Sequence, residues 1–125
     1  VSEPVPPPWV AQVLAARPVH ARPFDRDAED RVAIRVPRFD GAILRRLLMP
    51  RLRRPEFRIR LDAFGTCAWD ACDGRRTGED IAALLSARWP DEPGMRLRAA
   101  MFLRQLLIQG HLRDAGADGD GPPPG

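Results

Sequence analysis

Two short stretches of the chain alternate between apolar and polar positions. In RVAIRVPRF, residues 31–39, Val32, Ile34 and Val36 alternate with Arg31, Ala33 and Arg35, the period of a half-buried strand. Pro37 ends this strand or marks a sheet edge, because proline cannot donate to the ladder. In FRIRL, residues 57–61, Phe57, Ile59 and Leu61 alternate with Arg58 and Arg60. This predicts a second strand whose odd-numbered residues face the core.

From Asp62 the apolar period lengthens to that of a helix. Asp62 stands at an N-cap position, and Phe64, Ala68, Ala71 and Cys72 share one helical face. Asp73-Gly74 supplies the stop, since glycine tolerates the left-handed conformation. Thr77, followed three residues later by Asp80, forms a shortened capping box. Ile81, Leu84 and Leu85 then line a second helix, with Trp89 at its end and Pro90 closing it. The third helix is predicted from Met95 to Gln109, with Gly110 as its stop. Its residues fall into two apolar stripes. Ala99, Phe102, Leu103, Leu106 and Leu107 make a core face, while Leu97, Met101 and Ile108, joined by Arg104, lie nearly opposite. A helix on the outside of a small domain needs only one apolar face. The second stripe therefore requires a cover, either the N-terminal segment around Trp9 or a bound partner.

The flanks read differently. Residues 1–8 hold four prolines, after which Trp9, Val10, Val13 and Leu14 recur at helical spacing until Pro18. This is a loose helix docking on the domain, or an unstructured arm. Residues 40–56 form an Arg-rich connector, in which Ile43, Leu44, Leu47 and Leu48 line one side of a helix of about two turns that breaks at Pro50. His111-Leu112-Arg113 suggests a short final strand or wing. The organisation expected is thus a Pro-rich extension over 1–30, a folded domain over 31–113 and a disordered tail over 114–125. The fold class is α+β, a small antiparallel sheet followed by a three-helix bundle.

Charge changes the picture only locally. The net charge is +3, yet residues 31–60 contain ten arginines against two acidic residues, and every basic residue in the chain is arginine. Such a block points to a nucleic-acid or acidic-peptide partner. The two cysteines, Cys67 and Cys72, sit five apart on a predicted helix, about 140° around it, so they neither bridge readily nor share a metal. Their ordinary reading is as small buried apolar residues. No apolar run of about 18 residues and no secretory leader is seen, which predicts a soluble cytoplasmic protein with no membrane partner.

No catalytic constellation is visible: there is no His/Asp pairing, metal-ligand spacing, Gly-rich phosphate loop or activated Ser or Cys motif. Asp70, Asp73, Glu79 and Asp80 read as surface and capping residues. Neither an enzyme nor a cofactor is expected. A nucleic-acid-binding winged helix-turn-helix is the competing class. Its groove-entering helix is not basic enough, because GEDIAALLSARW is net negative and the positive charge lies mainly in strands and connector. A structural adaptor docked permanently through the second stripe is a third reading.

The ordered combination LDAFGTCAWDACDGRRTGEDIAALL followed by FLRQLLIQGHL resembles the PqqD family, small proteins related to the recognition element of ribosomally made, modified peptides. The likeness covers roughly residues 31–113. It implies a winged-helix-like fold and a peptide chaperone that is not an enzyme. Such proteins bind the leader of a precursor peptide and present it to a modifying enzyme, often a radical SAM protein. The resemblance also implies that the peptide adds as a strand to a sheet edge against the third helix. Here that corresponds to Arg58, Ile59 and Arg60 on the strand, with Leu97, Met101, Arg104 and Ile108 on the helix. The N-terminal extension and the connector depart from the shortest members of the family.

Overall fold

The computed structural model describes residues 6–37 and 56–116. In chain order these residues form α1 (Pro8–Ala15), β1 (Pro18–His20), β2 (Phe24–Arg26), β3 (Val32–Pro37), β4 (Glu56–Arg60), α2 (Ala63–Ala71), α3 (Gly78–Arg88), α4 (Met95–Ile108) and β5 (Leu112–Asp114). The Arg-rich connector, including the helix expected around residues 43–48, lies outside the described residues, as does the tail from residue 117. The fold is α+β, with two small antiparallel sheets and four helices among the described residues.

The local signals act where the sequence places them. Asp62 Oδ1 accepts a hydrogen bond from the Gly65 N–H at 2.7 Å, satisfying one of the orphan donors of α2. Thr77 Oγ1 accepts from the Asp80 N–H at 3.1 Å and Asp80 Oδ2 accepts from the Thr77 N–H at 3.0 Å, a reciprocal capping box for α3. Gly74 and Gly110 adopt φ of 80° and stop their helices as expected. Gly94, also left-handed at φ 67°, stands at the N-cap of α4.

The sheet β2-β3-β4 is antiparallel throughout, and Val36↔Phe57, Ile34↔Ile59 and Ala33↔Arg60 set the register of its longer pair. Val32, Ile34 and Val36 are buried. The predicted core orientation of β4 holds only at one end: Leu61 is buried, Ile59 half-buried and Phe57 exposed. Alternation correctly gives the face, but Phe57 is exposed although its cross-strand partner Val36 is buried, because β4 is the outermost described strand of this sheet.

One apolar cluster draws on all four helices together with β3 and β5. Elements on both sides of residue 30 therefore share a core. Val10, Val13 and Leu14 of α1 are buried within it, and α1 packs on both α3 and α4. The Gly78 N–H, at the start of α3, donates to the Ala16 carbonyl oxygen at 2.9 Å. β1 pairs with β5 (Val19↔Arg113), which is the final strand expected from His111-Leu112-Arg113. β1 is also held by the α2–α3 turn, through a bridge from Val19 to Asp73 and a Gly74 N–H bond to the Pro18 carbonyl at 2.9 Å.

His111 lies buried beside this ribbon, and its Nδ1 has no hydrogen-bond partner among the described residues. Burial, with a smaller contribution from the nearby Arg22 charge, holds its pKa below the usual imidazole value. The unfolded chain therefore takes up this proton at a higher pH than the folded chain. The stability contribution is full above the unfolded pKa and is lost as pH falls through the depressed folded value. Urea midpoints measured at pH 7.5 and 5.5 are expected to fall more for the wild type than for His111→Gln. Equal pH dependence in the two proteins would show that His111 does not carry the effect.

Candidate functional site

β4 pairs with β3 along one edge, and no other described strand pairs along its opposite edge. A strand left in this state presents a row of backbone donors and acceptors, a template for a further strand. Its side chains divide by parity. Ile59 and Phe57 share the face of the buried Ile34 and Val36, whereas Arg58 and Arg60 lie on the outer face with Arg35.

The outer face is partly neutralised. Arg58 and Arg35, directly opposite each other, both approach Asp25 Oδ2, at 3.2 and 3.7 Å. All three side chains remain substantially solvated, so these pairs contribute little to stability. Their effect is to reduce repulsion between the paired arginines and to lessen the charge Arg58 presents. Arg60 is exposed opposite Ala33.

The two stripes of α4 appear as predicted. Met95, Ala99, Ala100, Leu103 and Leu106 are buried, with Phe102 and Leu107 half-buried against the core. Leu97, Met101 and Ile108 are 47, 56 and 65 % exposed. With Phe57 at 43 %, they are the large apolar side chains left exposed among the described residues. The sequence left two covers open for this stripe, and α1 proves to lie alongside it. The Arg104 guanidinium sits over the Trp9 ring at 4.8 Å, which places α1 on the Arg104 flank of α4. On the other flank Phe102 meets Phe64 edge-on at 5.5 Å, and the Arg98 guanidinium covers Phe64 at 4.3 Å. Phe102 also approaches Gly65, one turn beyond the end of β4, where an added Cβ would be 3.3 Å from its ring and 3.1 Å from Leu61 Cβ. The seven residues singled out on β4 and α4 thus fall in three sets: Leu97, Met101, Arg104 and Ile108 lie together along α4, Arg58 and Arg60 lie on the outer face of β4, and Ile59 lies on its inner face. Phe57 completes the exposed apolar set. It was missed because parity assigned it to the core and carries no information on which strand lies outermost in the sheet.

The ionisable groups elsewhere have structural tasks. Asp73 and Asp80 are held below the usual carboxylate range chiefly by backbone N–H donors, from Arg76 and Arg75 and from Thr77 respectively. Glu79 pairs with Arg96 at 3.0 Å, and Asp70 with Arg26. Cys72 is buried, donates its thiol hydrogen to the Ala68 carbonyl at 3.1 Å and has its pKa pushed up to about 12 by burial. Cys67 is half-buried, and burial raises its pKa too. Neither thiol is set up as a thiolate nucleophile. Among the described residues no group of three or more His, Cys, Asp or Glu side chains converges on a metal position, and no helix is long and apolar enough to cross a membrane. A cleft of about 530 Å³ between α2, α3 and the β2–β3 turn is lined by apolar Leu84 and Trp89 together with Arg31, Asp70 and Arg88. Its charges are mixed and converge on no single point.

Comparison with protein-family models matches residues 54–112 to PqqD, Coenzyme PQQ synthesis protein D. No curated protein and no solved structure matches the chain. The match begins at the threshold of β4 and ends in β5, so it takes in β4 and both stripes of α4 and leaves out α1 to β3. Over residues 54–112 this chain is therefore similar to the PqqD family.

Proposed function

We propose that this protein is a peptide chaperone: it binds the leader of a ribosomally synthesised precursor peptide by strand addition and presents it to a modifying enzyme of the radical SAM type. The observation that carries this reading is the coexistence of an exposed apolar row on α4 with a β4 edge along which no other described strand pairs, in the segment the family match covers. Strand addition takes affinity from main-chain hydrogen bonds and specificity from alternate side chains. Leu97, Met101 and Ile108 receive the guest's apolar residues, and the flexible thioether of Met101 adapts to their shape. Ile59 and Phe57 meet the guest on the inner side of the strand. Arg58 and Arg60 act on the outer side, where they steer acidic segments and set register more than they hold them.

The test uses isotope-labelled full chain titrated with synthetic leader segments from short reading frames beside its gene. Binding is expected to slow amide exchange along β4 and to shift resonances of β4 and α4. Perturbations confined to the outer surfaces of α2 and α3 would refute the groove. Met101→Asp and Ile108→Asp are expected to weaken leader binding about tenfold or more, because a carboxylate is forced against apolar groups. Both positions are more than half exposed, so thermal stability should stay near wild type. Unfolding of both variants would instead make the stripe part of the core.

A further inference from the structure

We infer that Trp9, on the helix preceding the family-matched region, is a positioning residue for Arg104, and that the pair makes the groove select an extended apolar peptide carrying a carboxylate. The inference rests on the peptide-binding reading above and specifies its substrate class.

Arg104 belongs to the exposed row by helix geometry. It stands three residues after Met101 and four before Ile108, so it is their neighbour on the surface of α4. A guest whose apolar side chains seat on Met101 and Ile108 brings the side chain between them to Arg104. An apolar row interrupted by one cation is complementary to an apolar segment interrupted by one anion.

Arg104 shares with Arg88 and Arg98 an aromatic ring as partner, and of these three it is the one that stands in the row of Leu97, Met101 and Ile108. Arg26, Arg58, Arg76 and Arg96 each pair with a carboxylate, at Asp70, Asp25, Asp73 and Glu79. Arg104 has no carboxylate within ion-pairing distance among the described residues, and its contact is the indole face of Trp9. A guanidinium that stacks on a ring is covered on its face alone. Such stacking leaves the N–H donors, which lie in the guanidinium plane, able to receive a carboxylate in bidentate geometry. The contact also restrains a long side chain before the guest arrives, so less rotamer freedom is lost on binding. Trp9 is itself held in place. It is half-buried, and the next residue, Val10, is buried where α1 packs on α3 and α4. Thus α1 borders the apolar row of α4 without covering it.

The test starts from a displayed library of random dodecapeptides selected on the full wild-type chain. The selected peptides are expected to share an Asp or Glu flanked by apolar residues. Changing that Asp or Glu to its amide should weaken binding to wild type about tenfold, as expected for loss of a charge-assisted bidentate bond. For Trp9→Leu, which keeps an apolar side chain on α1, the same change should cost less than about threefold. Arg104→Gln should remove the discrimination, and adding Trp9→Leu to it should change nothing further. A purely structural Trp9 would lower stability while leaving the acid-to-amide ratio at its wild-type value, which would overturn the inference. Selected peptides without any acidic preference would also overturn it, while leaving the peptide-binding reading intact. Failure to select any peptide that competes at β4 and α4 would overturn both, as would a dimer of this chain that buries the same row.

Discussion

Trp69→Ala is expected to destabilise the protein by about 3–5 kcal/mol, the range for removing a fully buried tryptophan. Trp69 on α2 is completely buried and joins the helix to two strands. His20 of β1 stacks on it with ring centroids 4.2 Å apart and an interplanar angle of 6°, and Phe24 of β2 meets it edge-on at 5.5 Å. His20 Nε2 also donates to the Trp69 carbonyl oxygen at 2.6 Å, so the strand is fastened to both the ring and the backbone of one residue. Truncation leaves a cavity beneath both strands and removes the surface on which His20 lies. A domain of this size has a total stability of roughly 5–15 kcal/mol, so the variant is expected to be marginal at 25 °C. Equilibrium urea unfolding measures the effect. A cost below about 1 kcal/mol, the scale of an ordinary surface change, would show that Trp69 is not the joint between α2 and the N-terminal strands.

The second large effect is expected at Gly78. A methyl group on Gly78 would lie 2.6 Å from the Val13 carbonyl oxygen and 2.8 Å from Leu14 Cα, both on the backbone of α1. Neither atom belongs to a side chain that can swing aside, so α1 must shift bodily or leave. Gly78→Ala is expected to cost about 1–3 kcal/mol, as for overpacking elsewhere, even though alanine is the better helix former. Displacement of α1 would strain the hydrogen bond from the Gly78 N–H to the Ala16 carbonyl and loosen Val10, Val13 and Leu14. Limited proteolysis provides the second readout, with cleavage expected between α1 and β1 in the variant but not in the wild type. Wild-type stability and protease resistance in Gly78→Ala would disprove the close approach. Because Trp9 rides on α1, the same substitution should also loosen the Arg104 contact.

Much of the segment from Phe57 onward was legible because its signals are short-range. Asp62, Asp73-Gly74 and Thr77 with Asp80 act on backbone groups within three residues, so their geometry follows from spacing alone. The two-faced character of α4 also follows from spacing, since its helical phase depends on nothing outside the helix. β1 and β2 gave no such signal. Each has three residues, too few to establish a period, and each exists through pairing with a remote segment, residues 112–114 for β1 and 32–34 for β2. For the same reason residues 18–26 read as part of an extension although they are built into the core.

Composition and periodicity by themselves determined the α+β class, the capped helices, the alternating strands and the existence of a second apolar stripe on the last helix. Tertiary structure alone decided that α1 lies beside that stripe, that Phe57 stands clear of the core, that Asp25 draws in Arg58, and that β4 keeps an open edge among the described residues. The division has a physical basis. Dihedral preferences and capping are settled among neighbours in the chain, whereas the cover on a given surface depends on which distant segments can bury the most apolar area without leaving polar groups unpaired.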